Sequence, residues 1–270
     1  MNTKIKISML PILIGGLIFM TFQGCIKDDT EPYDTTADSI TFNPDISYGT
    51  MKDAGNNSYK TVTIGTQTWM AENLRTTVYN DGTPIPEVND NATWRTLTTG
   101  AQCISQSADE AEKLYGRLYN WYAVNTGQLC PAGWRVPTNA DWVILENFLK
   151  KNGYNYFPDD TVTGSFTKSL AATTLWKEFN AEGTVGYHPE NNNITGFTAL
   201  PGGMRYFDGG FGGVGEFGCW WSSTESFPDP LTDPGLKDVA FYRLIANSSY
   251  YTQEADERMK CGVSVRCVKN

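Results

Sequence analysis

Residues 135–153 read RVPTNADWVILENFLKKNG. Thr138 is placed to cap a helix, and Asp141, three residues on, completes a capping box. Trp142, Leu145 and Leu149 then recur at helical spacing and form an apolar stripe. Lys150 and Lys151 suit the negative end of the helix dipole, and Gly153 suits its stop. The stretch predicts one well-bounded amphipathic helix.

Working outward from that helix, the pattern changes. Residues 109–124, DEAEKLYGRLYNWYAV, place Ala111, Leu114, Tyr115, Leu118 and Tyr122 at helical spacing, with Gly116 as a cost of about 1 kcal/mol relative to alanine. Further upstream, KTVTIGTQTWM (60–70) alternates through Val62, Ile64 and Trp69 and reads as strand, turn at Gly65, and strand. Between them, YNDGTPIPEV (79–88) is a turn-rich loop. Downstream, KSLAATTLWKEF (168–179) predicts a shorter helix. ITGFTAL (194–200), GCWWSSTE (218–225), DVAFYRLIA (238–246) and GVSVRCVK (262–269) read as strands, the last with Val263, Val265 and Cys267 alternating with polar neighbours. Two or three helices followed by several strands indicate an α+β domain with a mostly antiparallel sheet.

The amino-terminal end has a different character. Lys4 and Lys6 precede a 16-residue apolar stretch, ISMLPILIGGLIFMTF, interrupted by Pro11, Gly15 and Gly16. A spanning helix needs about 20 apolar residues, so a cleaved signal over residues 1–24 fits better than a permanent anchor helix. Gly24-Cys25 resembles a bacterial lipobox, in which the cysteine is acylated and becomes residue one. Phe22 and Gln23 depart from the usual pattern there. The acidic run that follows, IKDD, resembles the export signal of Bacteroidetes surface lipoproteins. Acylation at Cys25 implies an outer-membrane, surface-exposed protein held by acyl chains worth about 0.8 kcal/mol per buried CH2. Residues 25–58 are acid-rich with scattered apolar residues and read as a flexible tether, although SITF (39–42) has the makings of a short strand.

Composition narrows the function. The chain has 270 residues and a net charge of −9. Removing residues 1–24 takes away two lysines and leaves about −11. That balance argues against nucleic acid and anionic lipid as ligands. Of the six cysteines, an acylated Cys25 leaves five, so at least one is unpaired. There is no C-x-x-C and only one histidine, His188, which makes a structural zinc site improbable.

Six ordered blocks carry a family resemblance: TIGTQTWMAENL, YGRLYNWYAV, LCPAGWRVPTNADW, GFTALPGGMR, GCWWSSTE and GVSVRCVKN. Together they resemble the Fibrobacter succinogenes major paralogous domain family over about residues 59–270. RVPTNADW followed by GVSVRC also resembles the capped helix and last strand of the formylglycine-generating enzyme family. The resemblance implies a C-type-lectin-like fold. It also implies a disulfide between Cys130 and Cys267, because in that fold the segment entering the capped helix lies beside the last strand. No second bridge is expected among Cys103, Cys219 and Cys261.

Catalytic chemistry finds little support in the motifs. Formylglycine-type oxidation needs paired reactive cysteines, and only Cys261 stands near that place. The sugar-binding lectin motifs Glu-Pro-Asn, Gln-Pro-Asp and Trp-Asn-Asp are absent. Calcium on scattered loop acids has no motif behind it, and no cofactor is expected. GVGEFG (213–218) matches G-x-G-x-x-G but is followed by a strand pattern, so a dinucleotide site is rejected. There is no G-x-S-x-G, and no carboxylate pair can be singled out for glycosidase work. The expected function is non-enzymatic binding of a glycan or a surface protein. An envelope enzyme such as a polysaccharide hydrolase and a structural adhesin component are the alternatives. The expected ligand surface is the loop from Gly202 to Gly218, with eight glycines in seventeen residues. Its candidates are Arg205, Tyr206, Asp208, Phe211 and Glu216, with the outward member of Trp220 and Trp221. The competing reading is a glycine-rich hairpin whose aromatics fold back onto the core.

Overall fold

The computed structural model describes residues 39–105, 109–157, 164–227 and 237–270. The expected signal peptide, Cys25 and the first part of the expected tether lie outside the described residues. The hairpin predicted around Gly65 is present as β2 (Ser58–Ile64) and β3 (Gln67–Met70). It is preceded by β1 (Gly49–Lys52), which pairs with β2. Ile40, Phe42, Ile46 and Tyr48 pack against the core. Residues 39–58, read from composition as tether, are therefore folded onto the domain. SITF forms no strand.

The chain continues through α1 (Asn91–Thr96), β4 (Gln102–Ile104), α2 (Asp109–Tyr115), β5 (Arg117–Tyr119), α3 (Trp121–Val124), β6 (Trp134–Arg135), α4 (Asn139–Lys151) and α5 (Thr167–Leu170). It ends through β7 (Gly202–Arg205), β8 (Phe211–Val214), β9 (Phe217–Ser226), β10 (Val239–Ala246), β11 (Gln253–Arg258) and β12 (Val268–Lys269). The architecture is α+β and β-rich. One sheet has the order β1-β2-β3-β12-β6, the other β11-β10-β9-β7-β8, and β4 pairs with β5. Both large sheets are antiparallel except where β7 and β9 run parallel. Five α-helical segments occur among the described residues, more than the two or three expected, and only α4 exceeds two turns. None is long and apolar enough to cross a membrane.

The capped helix forms as its sequence dictates. Thr138 Oγ1 accepts from Asp141 N at 3.2 Å, and Thr138 N donates to the Asp141 carboxylate at 2.7 Å. Burial raises the cost of ionising Asp141, but Arg135 and Thr138 hydrogen-bond to it and hold its carboxyl below the usual range. Trp142, Leu145 and Leu149 are buried in one cluster with Trp69, Phe197 and Trp220.

The single helix expected over 109–124 is instead helix, strand and helix. Gly116 adopts φ +73, and a Cβ there would sit 2.8 Å from the carbonyl oxygen of Leu74. The chain passes hard against residues 73–74 at that point, so the helix stops. Asn120 then caps α3 by accepting from Ala123 N. The helix expected over 168–179 is cut to one turn because Ala172 N turns to the carbonyl of Ala199 at 2.8 Å. ITGFTAL is not a strand: Gly196 and Thr198 take positive φ, and the carbonyls of Phe197 and Thr198 turn towards the Arg266 guanidinium.

Residues 262–269 differ most from the pattern. Only Val268 and Lys269 form a ladder strand. Upstream of it, Gly262 bridges to Arg205, Val263 to Tyr119 and Ser264 to Trp220, one residue in each of three different strands. Ser264 and Arg266 are as buried as Val263, Val265 and Cys267, so the expected polar-out alternation fails. Cys130 and Cys267 form the disulfide, joining the approach to β6 to the entry of β12. Cys103, Cys219 and Cys261 are free and buried.

Candidate functional site

The expected loop is the hairpin β7–β8, with Gly202 opposite Val214 and Arg205 opposite Phe211. Its residues separate into two groups. Arg205 is fully buried. Its Nε donates to Gly209 O at 2.9 Å, and its other nitrogens donate to Val88 O at 2.5 Å, Asn89 O at 2.9 Å and Asn91 Oδ1 at 3.0 Å. The guanidinium lies between Trp94, at 4.2 Å, and Phe211, at 4.8 Å. The side chain is closed off from solvent.

Trp220 and Trp221 are both buried as well. They do point to opposite faces of β9, but each face is covered. Trp221 joins the cluster of Tyr119, Val263 and Val265, and Trp220 joins that of Trp69 and Trp142. Their indole nitrogens donate to Tyr119 O at 2.8 Å and Asn73 Oδ1 at 2.9 Å. Neither ring serves as the outward platform expected of it. Tyr206 and Phe211 are half-buried, while Asp208 and Glu216 are exposed. Glu216 pairs with Lys177 at 2.9 Å.

What Arg205 does is hold a surface together. It ties the hairpin tip at Gly209 to the entry of α1, and two exposed side chains of these elements, Phe207 on the tip and Arg95 in the last turn of α1, face one cleft. Gly209 takes φ +97, and a Cβ there would lie 2.7 Å from Asn91 Cα. Gly209→Ala is expected to lower stability by about 1–3 kcal/mol through strained backbone and this clash. A urea midpoint unchanged from the wild type would show that the tip is not seated on α1.

Phe207 and Arg95 line an open cleft of about 340 Å3 with Tyr122, Lys237, Asp238, Arg258 and Lys260. Arg258, at the end of β11, lays its guanidinium 4.1 Å from the centre of the Phe207 ring. Lys260 Nζ donates to Arg95 O at 3.1 Å. Met259 N donates to Asp238 O at 2.7 Å, and Trp121 N to Met259 O at 2.8 Å, which fastens this turn to β10 and α3. Burial, and then the Asp238 carboxylate, push the Tyr122 phenol above its ordinary pKa, so it stays a donor at neutral pH.

Four cations thus face one cleft of an acidic chain. Elsewhere Arg75, Arg117, Arg135, Lys177 and Arg243 each meet a carboxylate within ion-pair distance. Among the described residues none of Arg95, Lys237, Arg258 and Lys260 does so; Lys52, Lys150 and Lys151 share that lack, and what marks the four is that they line one cleft. Phe207 lies in the loop singled out from the sequence, though not among the candidates named there, and the sequence gives no sign of these partners. They come from three distant segments, and no spacing motif links them.

A second cleft, lined by Glu178, Phe179, Tyr187, His188 and Glu190 among others, is acidic. His188 and Glu190 pair there at 3.0 Å in solvent. Among the described residues no three His, Cys, Asp or Glu side chains are grouped to hold a metal ion. Burial pushes all three free thiols up in pKa, Cys103 to about 11.

A family model described as the Fibrobacter succinogenes major domain matches residues 62–269. No curated protein and no solved structure matches the chain.

Proposed function

The chain belongs to the Fibrobacter succinogenes major domain family, and from that premise we propose that it is a lipid-anchored, cell-surface binding protein whose C-type-lectin-like domain holds a glycan in the cleft around Phe207. Cys25 carries the anchor to the outer membrane. The lectin-like reading is supported by the pairing of β6 with β12 and by the Cys130–Cys267 bridge, which set the entry of the capped helix beside the last strand. The observation that carries the binding reading is the cleft itself. An exposed ring lies there among donors and one carboxylate, on elements locked by backbone hydrogen bonds. Non-enzymatic binding is favoured over hydrolysis because the side chains gathered there are cations and rings around a single acid. Two facing carboxylates, as glycosidases use, are not what the cleft offers.

A glycan array probed with the full chain in detergent tests this. Binding to one glycan class is expected, reduced about five- to tenfold by Phe207→Ala, with little change in melting temperature because the ring is over a third exposed. Turnover of a bound polysaccharide would replace this reading with that of an envelope hydrolase. Glycan binding indifferent to Phe207 would place the site elsewhere.

A further inference from the structure

We propose that the cleft selects an acidic polysaccharide, one whose sugar rings carry carboxylate or sulfate groups. The inference rests on the binding reading of the same cleft and names its ligand class. Three observations on the cleft bear on it together.

The first is unspent charge. Arg95, Lys237, Arg258 and Lys260 converge there, and among the described residues no carboxylate lies within ion-pair distance of any of them. In a chain of net charge −9, cations left unpaired at one place form a local field opposite in sign to the rest of the surface. A neutral sugar has no use for that field, whereas a carboxylate or sulfate meets it with charge-assisted hydrogen bonds.

The second is the ring. Phe207 is 38 % exposed, and the Arg258 guanidinium stacks over it at 4.1 Å. The apolar face of a sugar packs on such a ring while the guanidinium fork, held in place by the stack, addresses an acidic substituent.

The third is Asp238. It contributes the cleft's one acid, exposed among the four cations. It repels the carboxylates of an acidic peptide, whose donors are backbone N–H groups and not hydroxyls set around every unit. It accepts hydrogen bonds from the hydroxyls that every sugar carries. A ligand with both acid groups and hydroxyls satisfies the whole set, and the Tyr122 phenol adds one more donor.

The test is titration calorimetry of the full chain in detergent. The probes are polygalacturonate and its methyl ester, a sulfated galactan and its desulfated form, a neutral glucan, and polyglutamate. The acidic polysaccharides are expected to bind at least tenfold more tightly than their masked or neutral counterparts and than polyglutamate. Affinity should weaken as salt rises. Preference between polygalacturonate and sulfated galactan identifies the acid group. The double variant Arg95→Gln with Lys260→Gln is expected to lose at least tenfold in affinity for the acidic polymer. The exposed single variant Lys237→Gln, checked for an unchanged melting temperature, supplies the same comparison without touching the Lys260 contact to α1. Equal binding of acid and ester forms would overturn the acidic selection and leave glycan binding standing. Equal binding of polyglutamate would overturn it in favour of acidic protein. Acid binding that survives both variants would remove the cleft as its seat. Binding of no polysaccharide would overturn this inference and the binding reading alike.

Discussion

Replacing Arg266 with methionine is expected to destabilise the domain by about 3–5 kcal/mol, because buried carbonyls lose the donors that satisfy them. For a domain of this size that lowers the melting temperature by about 6–20 °C. Arg266 is fully buried. Its Nε donates to Asn73 Oδ1 at 2.8 Å, and its terminal nitrogens donate to the carbonyls of Phe197 and Thr198, the latter at 2.6 Å. The guanidinium also lies 4.5 Å from the centre of the Phe197 ring. Burial pushes its pKa down to about 9, which keeps it charged at neutral pH.

Methionine fills much of the volume and removes the cost of burying a charge. It leaves the two carbonyls without donors, and unmet buried acceptors cost about 1–3 kcal/mol each. Asn73 keeps one donor, the indole of Trp220. Arg266→Lys is expected to recover only part of the loss, because a single ammonium cannot span Asn73 and the carbonyls of Phe197 and Thr198 as the planar fork does. Urea unfolding followed by tryptophan fluorescence measures both variants. A loss below about 1 kcal/mol for the methionine variant would mean that water replaces the guanidinium.

The second large effect is expected from the Cys130–Cys267 bridge, which spans 137 residues of chain. Closing so long a loop restricts the unfolded ensemble by about 4–5 kcal/mol on the chain-entropy account. The double variant Cys130→Ala with Cys267→Ala is expected to approach that loss. The wild type in strong reductant should behave like the variant. Comparing urea midpoints with and without reductant checks the energetics, and non-reducing peptide mapping checks the pairing. Coincident midpoints for oxidised and reduced protein would show that the bridge adds nothing to stability. The three free thiols, all buried, should react with a thiol reagent only on unfolding.

Local signals were legible where one segment supplies its own partners. The box of Thr138 and Asp141, the turn at Gly65, and the apolar runs of β9 and β10 can all be read from neighbours in the chain. The signal failed where the partner is distant. From the sequence Gly116 reads as a cost within a helix, yet it marks the helix end, because Leu74 occupies the space a side chain would need. Alternation placed Trp220 and Trp221 on opposite faces correctly. It could not tell that β9, in the middle of its sheet, is covered on both. Arg205 had the chemistry of a ligand contact. Only the fold reveals that its guanidinium is fully buried and already donates to Val88, Asn89, Asn91 and Gly209. The cleft was half legible: Phe207 lay in the suspected loop, but its cationic neighbours arrive from α1, the start of β10 and the turn after β11.

Residues 262–269 set a timetable. They bridge β5, β7 and β9 and then supply the strand between β3 and β6. A chain released amino end first, from a ribosome or through a membrane pore, presents every other described strand before this one. Until it arrives, β3 and β6 have no common neighbour, Arg266 is missing from its acceptors, and Cys130 waits for its partner. Assembly is therefore deferred until residues 262–269 are released and depends on contacts far apart in the chain, the kind that form slowly. During that interval the aromatic faces destined for the two cores stay open to water and to other chains. A chain truncated after Cys261 should be digested by protease at low concentration, and extending it to Asn270 should restore resistance.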